Sequence, residues 1–197
     1  MFWKLPIAVA GLVLLAAPMA GCGGVDRVNG SASAPAERSA GAGQGDIHVS
    51  RIKDYNTFAE LKAESTVAVR ATAGDARVEM LHGVPFTVTS VKLIGPAVWG
   101  QVPPLGALEV RQTGSATAVA ADLSPLLVEG REYLLFVTPW IYEKGVPTGQ
   151  WVITGDQGVY VLEGSGDSAR YRFAGAPKPN LPAELTVEQV HAGSFPA

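Results

Sequence analysis

Five apolar residues in succession, Tyr133-Leu134-Leu135-Phe136-Val137, constrain the fold of this chain more than any other segment. Because successive side chains of a strand point to opposite faces, this run predicts a strand that is covered on both faces. Pro139 follows the run and is expected to end the strand, which then spans 132–138. We therefore place this segment at the centre of the hydrophobic core.

Two earlier segments show strand periodicity. In 67–73, valine and alanine alternate with Arg70 and Thr72, and after Gly74-Asp75 the strand is expected to continue over 77–81. In 85–94, the apolar positions change from even to odd numbers. A one-residue slip of this kind predicts a β-bulge near Thr89-Ser90.

Later segments add shorter elements. The stretch 108–113 alternates as a strand with one solvated face, and 171–173 predicts a short strand. Residues 150–154 and 159–162 flank Gly155-Asp156-Gln157-Gly158, which predicts a hairpin. Helices are predicted at 58–64, after the capping box Thr57-Phe58-Ala59-Glu60, and at 186–191.

These elements predict a mainly β fold with one or two short helices. Five to seven short strands separated by Gly and Pro turns favour a small antiparallel Greek-key barrel of the OB type. A bent strand at Thr89-Ser90 fits a small closed barrel. A β-sandwich is the alternative.

The first 22 residues have the pattern of an export signal. Lys4 precedes an apolar run from Leu5, and Met19-Ala20-Gly21-Cys22 closes it. This ending resembles the lipobox of bacterial lipoproteins, with Met19 in place of the usual Leu. The resemblance implies that Cys22 receives a lipid and becomes the N-terminus on the extracytoplasmic face of the cell membrane.

Two other interpretations of the leader stay open. An ordinary cleaved signal needs small residues at both −3 and −1, and Pro18 or Met19 occupies −3 here. A retained transmembrane helix needs roughly 20 apolar residues, and Pro18 interrupts a shorter run.

The chain is expected to have three parts. Residues 1–21 form the signal peptide, 22–46 a flexible Gly/Ser/Ala tether, and 47–197 a single β-rich domain. Cys22 is the only cysteine, so a disulfide is not expected and apolar burial must stabilise the domain. The formal net charge is −3 and no basic run occurs, which argues against a nucleic-acid partner.

Catalytic and cofactor motifs are lacking in the sequence. His48, His82 and His191 share no metal-binding spacing. We find no Gly-x-Ser-x-Gly elbow, Walker loop or Rossmann glycine pattern. We therefore expect no metal and no cofactor, and an enzyme is less favoured than a binding protein.

The most unusual feature of the domain is a group of four aromatic residues, Trp140, Tyr142, Trp151 and Tyr160. Exposed on a barrel, they are candidates to bind a glycan or a protein of the cell envelope. The alternative is that they pack in and around the core.

Three segments, 57–73, 85–94 and 130–136, resemble parts of uncharacterised small secreted proteins of high-GC Gram-positive bacteria, a likeness that brings no activity with it. We expect a membrane-anchored binding or accessory module of the envelope. A hydrolase or transferase that acts on envelope material, and a spacer domain without a ligand, are the alternatives.

Overall fold

A computed structural model describes residues 53–102, 106–118, 125–143, 145–155 and 157–196, without the side chain of Glu143. All of them belong to the second of two compact units, Ala42–Ala197. The predicted signal peptide, Cys22 and the tether lie outside the described residues. No helix within these ranges is long and apolar enough to cross a membrane.

The described part of the chain is mainly β, as the sequence predicts. Its helices are α1 (Phe58–Glu64) and α2 (Val187–Ala192), with one 3-10 turn at Gly166–Ser168. Its strands are β1 (Val67–Leu81), β2 (Val84–Leu93), β3 (Trp99–Gly100), β4 (Ala107–Thr113), β5 (Glu132–Glu143), β6 (Val146–Ile153), β7 (Val159–Glu163), β8 (Arg170–Phe173) and β9 (Glu184–Thr186).

Five of these strands close into a barrel. Strand β1 pairs with β2, β2 with β4, β4 with β6, β6 with β5, and β5 returns to pair with β1. Apart from the two-residue β3, which lies outside the barrel, β1, β2 and β4 follow one another in the chain, and β5 returns to lie beside β1. The resulting order β5-β1-β2-β4 is a Greek key. A five-stranded Greek-key barrel is the OB-type architecture that the sequence predicts. The β4–β6 pair is parallel, and the other pairs are antiparallel.

Strand β5 lies at the centre of two hydrophobic cores. Tyr133, Leu135 and Val137 point into the barrel, where they pack with side chains of β1, β2, β4 and β6. Leu134 and Phe136 point outward into a second core. All five residues are at most 4% exposed. The run of apolar residues is therefore covered on both faces, which confirms the prediction.

The second core lies between an extension of the sheet and the two helices. Strands β7, β8 and β9 continue the sheet from the first half of β5. Phe58 of α1 makes an edge-to-face contact with Phe136, with ring centres 5.1 Å apart. Val190 of α2 is fully buried in the same core. The helices thus cover the outer side of the barrel at β5. They do not cover the outer side at β2 and β4.

Both helices begin with side-chain caps. The Thr57 hydroxyl accepts from the Glu60 amide, as predicted, while the Glu60 carboxylate accepts from the Asn56 amide. In α2, Thr186 and Gln189 form a complete capping box, and Gly193 ends the helix in the left-handed region.

The β-bulge that the sequence predicts in β2 lies instead in the adjacent strand β1. The β1–β2 register shifts between Ala73 and Ala76, so Gly74 and Asp75 face the region of Ser90. The β2–β4 register is regular. The change from even to odd apolar positions in β2 has another cause, because both faces of this strand carry a buried valine. Val91 points into the barrel. Val88 is buried on the outer face, in register with Arg77 and Arg111.

Two other predictions are wrong. Strand β5 does not end at Pro139 but continues to Glu143, because Pro139 lies where the β5–β6 register shifts and a missing N–H is tolerated. The predicted hairpin of 150–162 does not form. Strands β6 and β7 both pair with β5, and the Phe136 backbone bonds Thr154 and Gly158 between them.

Candidate functional site

Two hairpins meet on the outer side of the barrel. In the β1–β2 turn, His82 and Gly83 both have positive φ, 51° and 81°, as a two-residue type I′ turn requires. The Nε2 atom of His82 and the Tyr142 hydroxyl of the β5–β6 hairpin form a hydrogen bond. Their rings stack with centres 6.1 Å apart. This contact fixes the tips of the two hairpins against each other.

Behind the tips, Arg111 of β4 lies between two aromatic rings. Its guanidinium carbon is 3.9 Å from the centre of the Trp140 ring and 4.9 Å from that of Phe86. The Arg111 side chain is only 6% exposed. A desolvated cation over aromatic faces is favourable, so this stack holds the β5–β6 hairpin against β2 and β4.

Polar partners complete the environment of Arg111. Its Nε donates to Gln150 Oε1 over 2.7 Å, and its Nη2 donates to Glu79 Oε2. The Nη1 atom is buried without an acceptor among the described residues. Burial lowers the pKa of Arg111, and the Glu79 carboxylate opposes this effect.

A second arginine neutralises the remaining carboxylate of this group. Arg77 contacts Glu109 through two bonds of 2.7 and 2.9 Å and also bonds Glu79 over 3.0 Å. The hydrogen bond from Arg77 lowers the pKa of Glu109, and the same bond raises the pKa of Arg77. Glu109 is therefore held as the paired anion and is poorly suited to accept a proton from a substrate.

A shallow cleft of about 220 Å³ lies where the parallel strands β4 and β6 diverge. They pair only at Val110–Trp151 and Arg111–Val152. The cleft is lined by Ser90, Ala107, Leu108, Glu109, Thr148, Gly149 and Trp151. Glu109 is its one titratable side chain, whereas the hydrolase or transferase hypothesis requires at least two that converge.

A separate polar cluster lies at the first half of β1, around Arg70. The Tyr171 hydroxyl donates to Glu132, and Arg70 Nε donates to that hydroxyl over 3.0 Å. Arg70 also pairs with Glu132. Burial is the main cause that raises the pKa of Tyr171, so its phenol stays neutral. All three side chains are satisfied by one another, which points to a structural role.

The four predicted aromatic residues do not form one surface. Trp140 and Tyr142 lie side by side on the β5–β6 hairpin, with ring centres 5.6 Å apart. Trp151 is 7% exposed and belongs to the barrel core, and Tyr160 is fully buried in the second core. The structure thus brings together one pair and places the other two residues in separate cores.

The other candidates are spread over the chain. Cys22 and His48 lie outside the described residues, His82 lies in the β1–β2 turn, and His191 is exposed on α2. No group of three or more His, Cys, Asp or Glu side chains that could hold a metal occurs in the described ranges.

Exposed apolar side chains lie close in sequence to Tyr142 on the β5–β6 hairpin. Tyr142 is 47% exposed, and its hairpin neighbours Ile141 and Val146 are 53% and 56% exposed. We call Ile141, Tyr142, Val146 and His82 the hairpin surface. In OB-type barrels, ligands bind to strands 2 and 3 and to the loops that correspond to these two hairpins.

Sequence reasoning did not find Arg111, Phe86, Glu79 or Gln150. Its only signal was the polar alternation of β4, which was interpreted as a solvated face. No family model matches this chain, no curated protein matches it, and no solved structure matches it.

Proposed function

We propose that this protein is a membrane-anchored, extracytoplasmic lipoprotein that binds a protein of the cell envelope through its hairpin surface. In this proposal, a lipid on Cys22 holds the chain at the cell membrane. The barrel then presents the β5–β6 hairpin as the contact for the partner. The lipobox-like leader supports the location, and the exposed apolar residues of the hairpin support the binding role.

The observation that carries the binding role is the exposure of Ile141, Tyr142 and Val146. Three large apolar side chains on one hairpin, each about half exposed, favour an interaction site. The Arg111–Trp140 stack also holds this hairpin against the outer face of the barrel. A rigid apolar surface loses little conformational entropy when it binds.

A protein partner fits this surface better than a glycan does. Sugars stack on free aromatic faces, but the Arg111 guanidinium covers one face of Trp140. Tyr142 contacts both His82 and Trp140, while Trp151 and Tyr160 are buried. The apolar edges of Ile141 and Val146 instead suit the core of a protein interface.

The test is a capture experiment with the lipidated full chain as bait. Ile141→Glu places a charge in the hairpin surface and should reduce recovery of the partner at least about tenfold. Val128→Glu is the matched control, because Val128 is 54% exposed on a different loop. Equal recovery with both variants would contradict the proposed surface.

The anchor is tested separately. Cys22→Ala should abolish labelling of the chain by a radioactive or clickable fatty acid and release it from the membrane fraction or leave an uncleaved precursor. Labelling that persists in Cys22→Ala would contradict the anchor. The result for Ile141→Glu does not depend on this outcome.

A further inference from the structure

Among the strands that the structure describes, none pairs with the outer edge of the second half of β1. Strand β5 pairs with β1 only over Val67–Thr72, and beyond the bulge the segment Ala76–Leu81 pairs with β2 alone. No other described strand lies in register with this segment. Val78 and Met80 are 56% and 65% exposed. An exposed strand edge with apolar side chains is a template for pairing with another strand.

The backbone groups at this edge can be assigned from the register. The Gly114 N–H donates to Pro85 O, so the Pro85 carbonyl points toward β4 and away from β1. In an antiparallel ladder, two paired residues either both point toward each other or both point away. Met80, the partner of Pro85, therefore points its N–H and C=O to the free edge. By alternation, Val78 and Ala76 do the same.

The sequence at this edge is complementary to itself. If two copies of Ala76-Arg77-Val78-Glu79-Met80 pair antiparallel about Val78, then Arg77 of each copy faces Glu79 of the other. Val78 faces Val78 across the two-fold axis, and Met80 faces Ala76. The side chains of Arg77 and Glu79 keep 50% and 31% exposure, so both are accessible to a second copy. Cross-strand pairs of opposite charge are favourable.

We propose that two copies of this chain associate through the free edge of β1, in an antiparallel, two-fold pairing centred on Val78. In this dimer, Ala76, Val78 and Met80 exchange backbone hydrogen bonds with the second copy. A self-complementary edge favours a second copy over an unrelated peptide. A symmetric, isologous contact of this kind closes on itself and yields a dimer rather than a filament.

The test uses charge at the two-fold axis. Val78→Lys and Val78→Glu each place two like charges opposite one another, and each should weaken the dimer about tenfold or more. An equimolar mixture of the two variants should dimerise again, because Lys then faces Glu. Sedimentation equilibrium of the full chain in detergent measures the association. The solvent density is matched to that of the detergent, so that only the mass of the protein is measured. Val128→Lys, at a position with similar exposure, should dimerise like the wild type.

A covalent test is independent of charge. In a Cys22→Ser chain, Val78→Cys places two thiols opposite each other at a Cα separation of about 5.5 Å, which suits a disulfide. Mild oxidation should give a covalent dimer, and Val128→Cys should not. A wild-type chain that is monomeric at every soluble concentration would overturn the proposal. Dimers that persist in both charge variants, or a mixture that stays monomeric, would also overturn it.

Discussion

The guanidinium of Arg111 lies 3.9 Å from the ring centre of Trp140, and this contact joins the β5–β6 hairpin to the outer face of the barrel. The contact is a consequence of register. Trp140 and Arg111 lie on different strands whose outward side chains converge, while their neighbours Pro139 and Val110 both pair with Trp151. The buried Arg111 cation therefore helps to position the hairpin that carries the proposed binding surface, together with the His82–Tyr142 contact.

The first prediction concerns the aromatic partner of this cation. Trp140→Leu keeps an apolar side chain but removes the ring face, and should lower the free energy of unfolding by about 1–2 kcal/mol. Trp140→Phe keeps a ring and should cost less. Urea unfolding measures both, and hydrogen exchange should show faster opening of the β5–β6 hairpin in Trp140→Leu. Unchanged exchange there would mean that the stack does not hold the hairpin.

The second prediction concerns the arginine itself. Arg111→Lys keeps the charge but loses the planar fork that reaches Gln150 and Glu79 at once, and should destabilise the domain by about 1–3 kcal/mol. Arg172→Lys is the matched control, since Arg172 is 57% exposed and its ion pairs lie in solvent. Similar losses in the two variants would argue against a special role for the stacked geometry.

The third prediction concerns pH. Since Arg77 lowers the pKa of Glu109 below its ordinary 4.5, the unfolded chain binds more protons in that range. The pair thus stabilises the fold above about pH 4.5, and this contribution is lost as the pH falls through the folded pKa. Because the Glu109 side chain is 43% exposed to solvent, the contribution of this ion pair to the free energy of unfolding should be less than about 1 kcal/mol.

Urea unfolding of the wild type and Glu109→Gln from neutral pH to about pH 3 measures this difference. The two curves should converge as the carboxylate protonates. In an Arg77→Gln chain, Glu109→Gln should have a smaller effect at neutral pH, because only the weaker contributions of Gln150 and Arg111 remain. A constant offset between the wild type and Glu109→Gln at all pH values would show that packing, not charge, is lost.

More of the fold than of the candidate site could be predicted from the sequence. The run Tyr133–Val137 and the alternation of 67–73 report burial on a face, which local sequence encodes directly. The burial of Arg111, in contrast, is not encoded in the local sequence. In sequence, Glu109 and Arg111 alternate with apolar residues as solvated positions do. Arg111 becomes enclosed, at 6% exposure, only because a hairpin from a distant part of the chain folds over it, whereas Glu109 stays 43% exposed.

Long-range contacts also explain why the predicted hairpin of 150–162 does not form and why the four aromatic residues do not share one surface. Residues 150–162 contain two strand-like segments around two glycines, which is also the pattern of a hairpin. Both segments instead pair with β5, a choice made by tertiary contacts. Trp151 and Tyr160 then point into two different cores, so closeness in sequence to Trp140 and Tyr142 does not imply a common surface.

The last prediction concerns the crossover from β6 to β7. A Cβ atom on Gly158 would lie 2.7 Å from the Phe136 carbonyl and 3.1 Å from the Thr154 carbonyl. Both are backbone atoms in a segment joined by hydrogen bonds, since the Thr154 N–H donates to Phe136 O and the Phe136 N–H donates to Gly158 O. Because these atoms cannot move independently, Gly158→Ala should destabilise the domain by about 1–3 kcal/mol.

Gly106→Ala is the control for this prediction, because its Cβ would meet nothing within 4 Å and Gly106 does not have a positive φ. It should leave stability unchanged or raise it by a few tenths of a kcal/mol, roughly, by restricting the unfolded chain. Thermal unfolding of the two variants side by side separates steric conflict from the general effect of replacing a glycine. If Gly158→Ala unfolds at the same temperature as Gly106→Ala, the backbone of Phe136 and Thr154 does not confine the crossover.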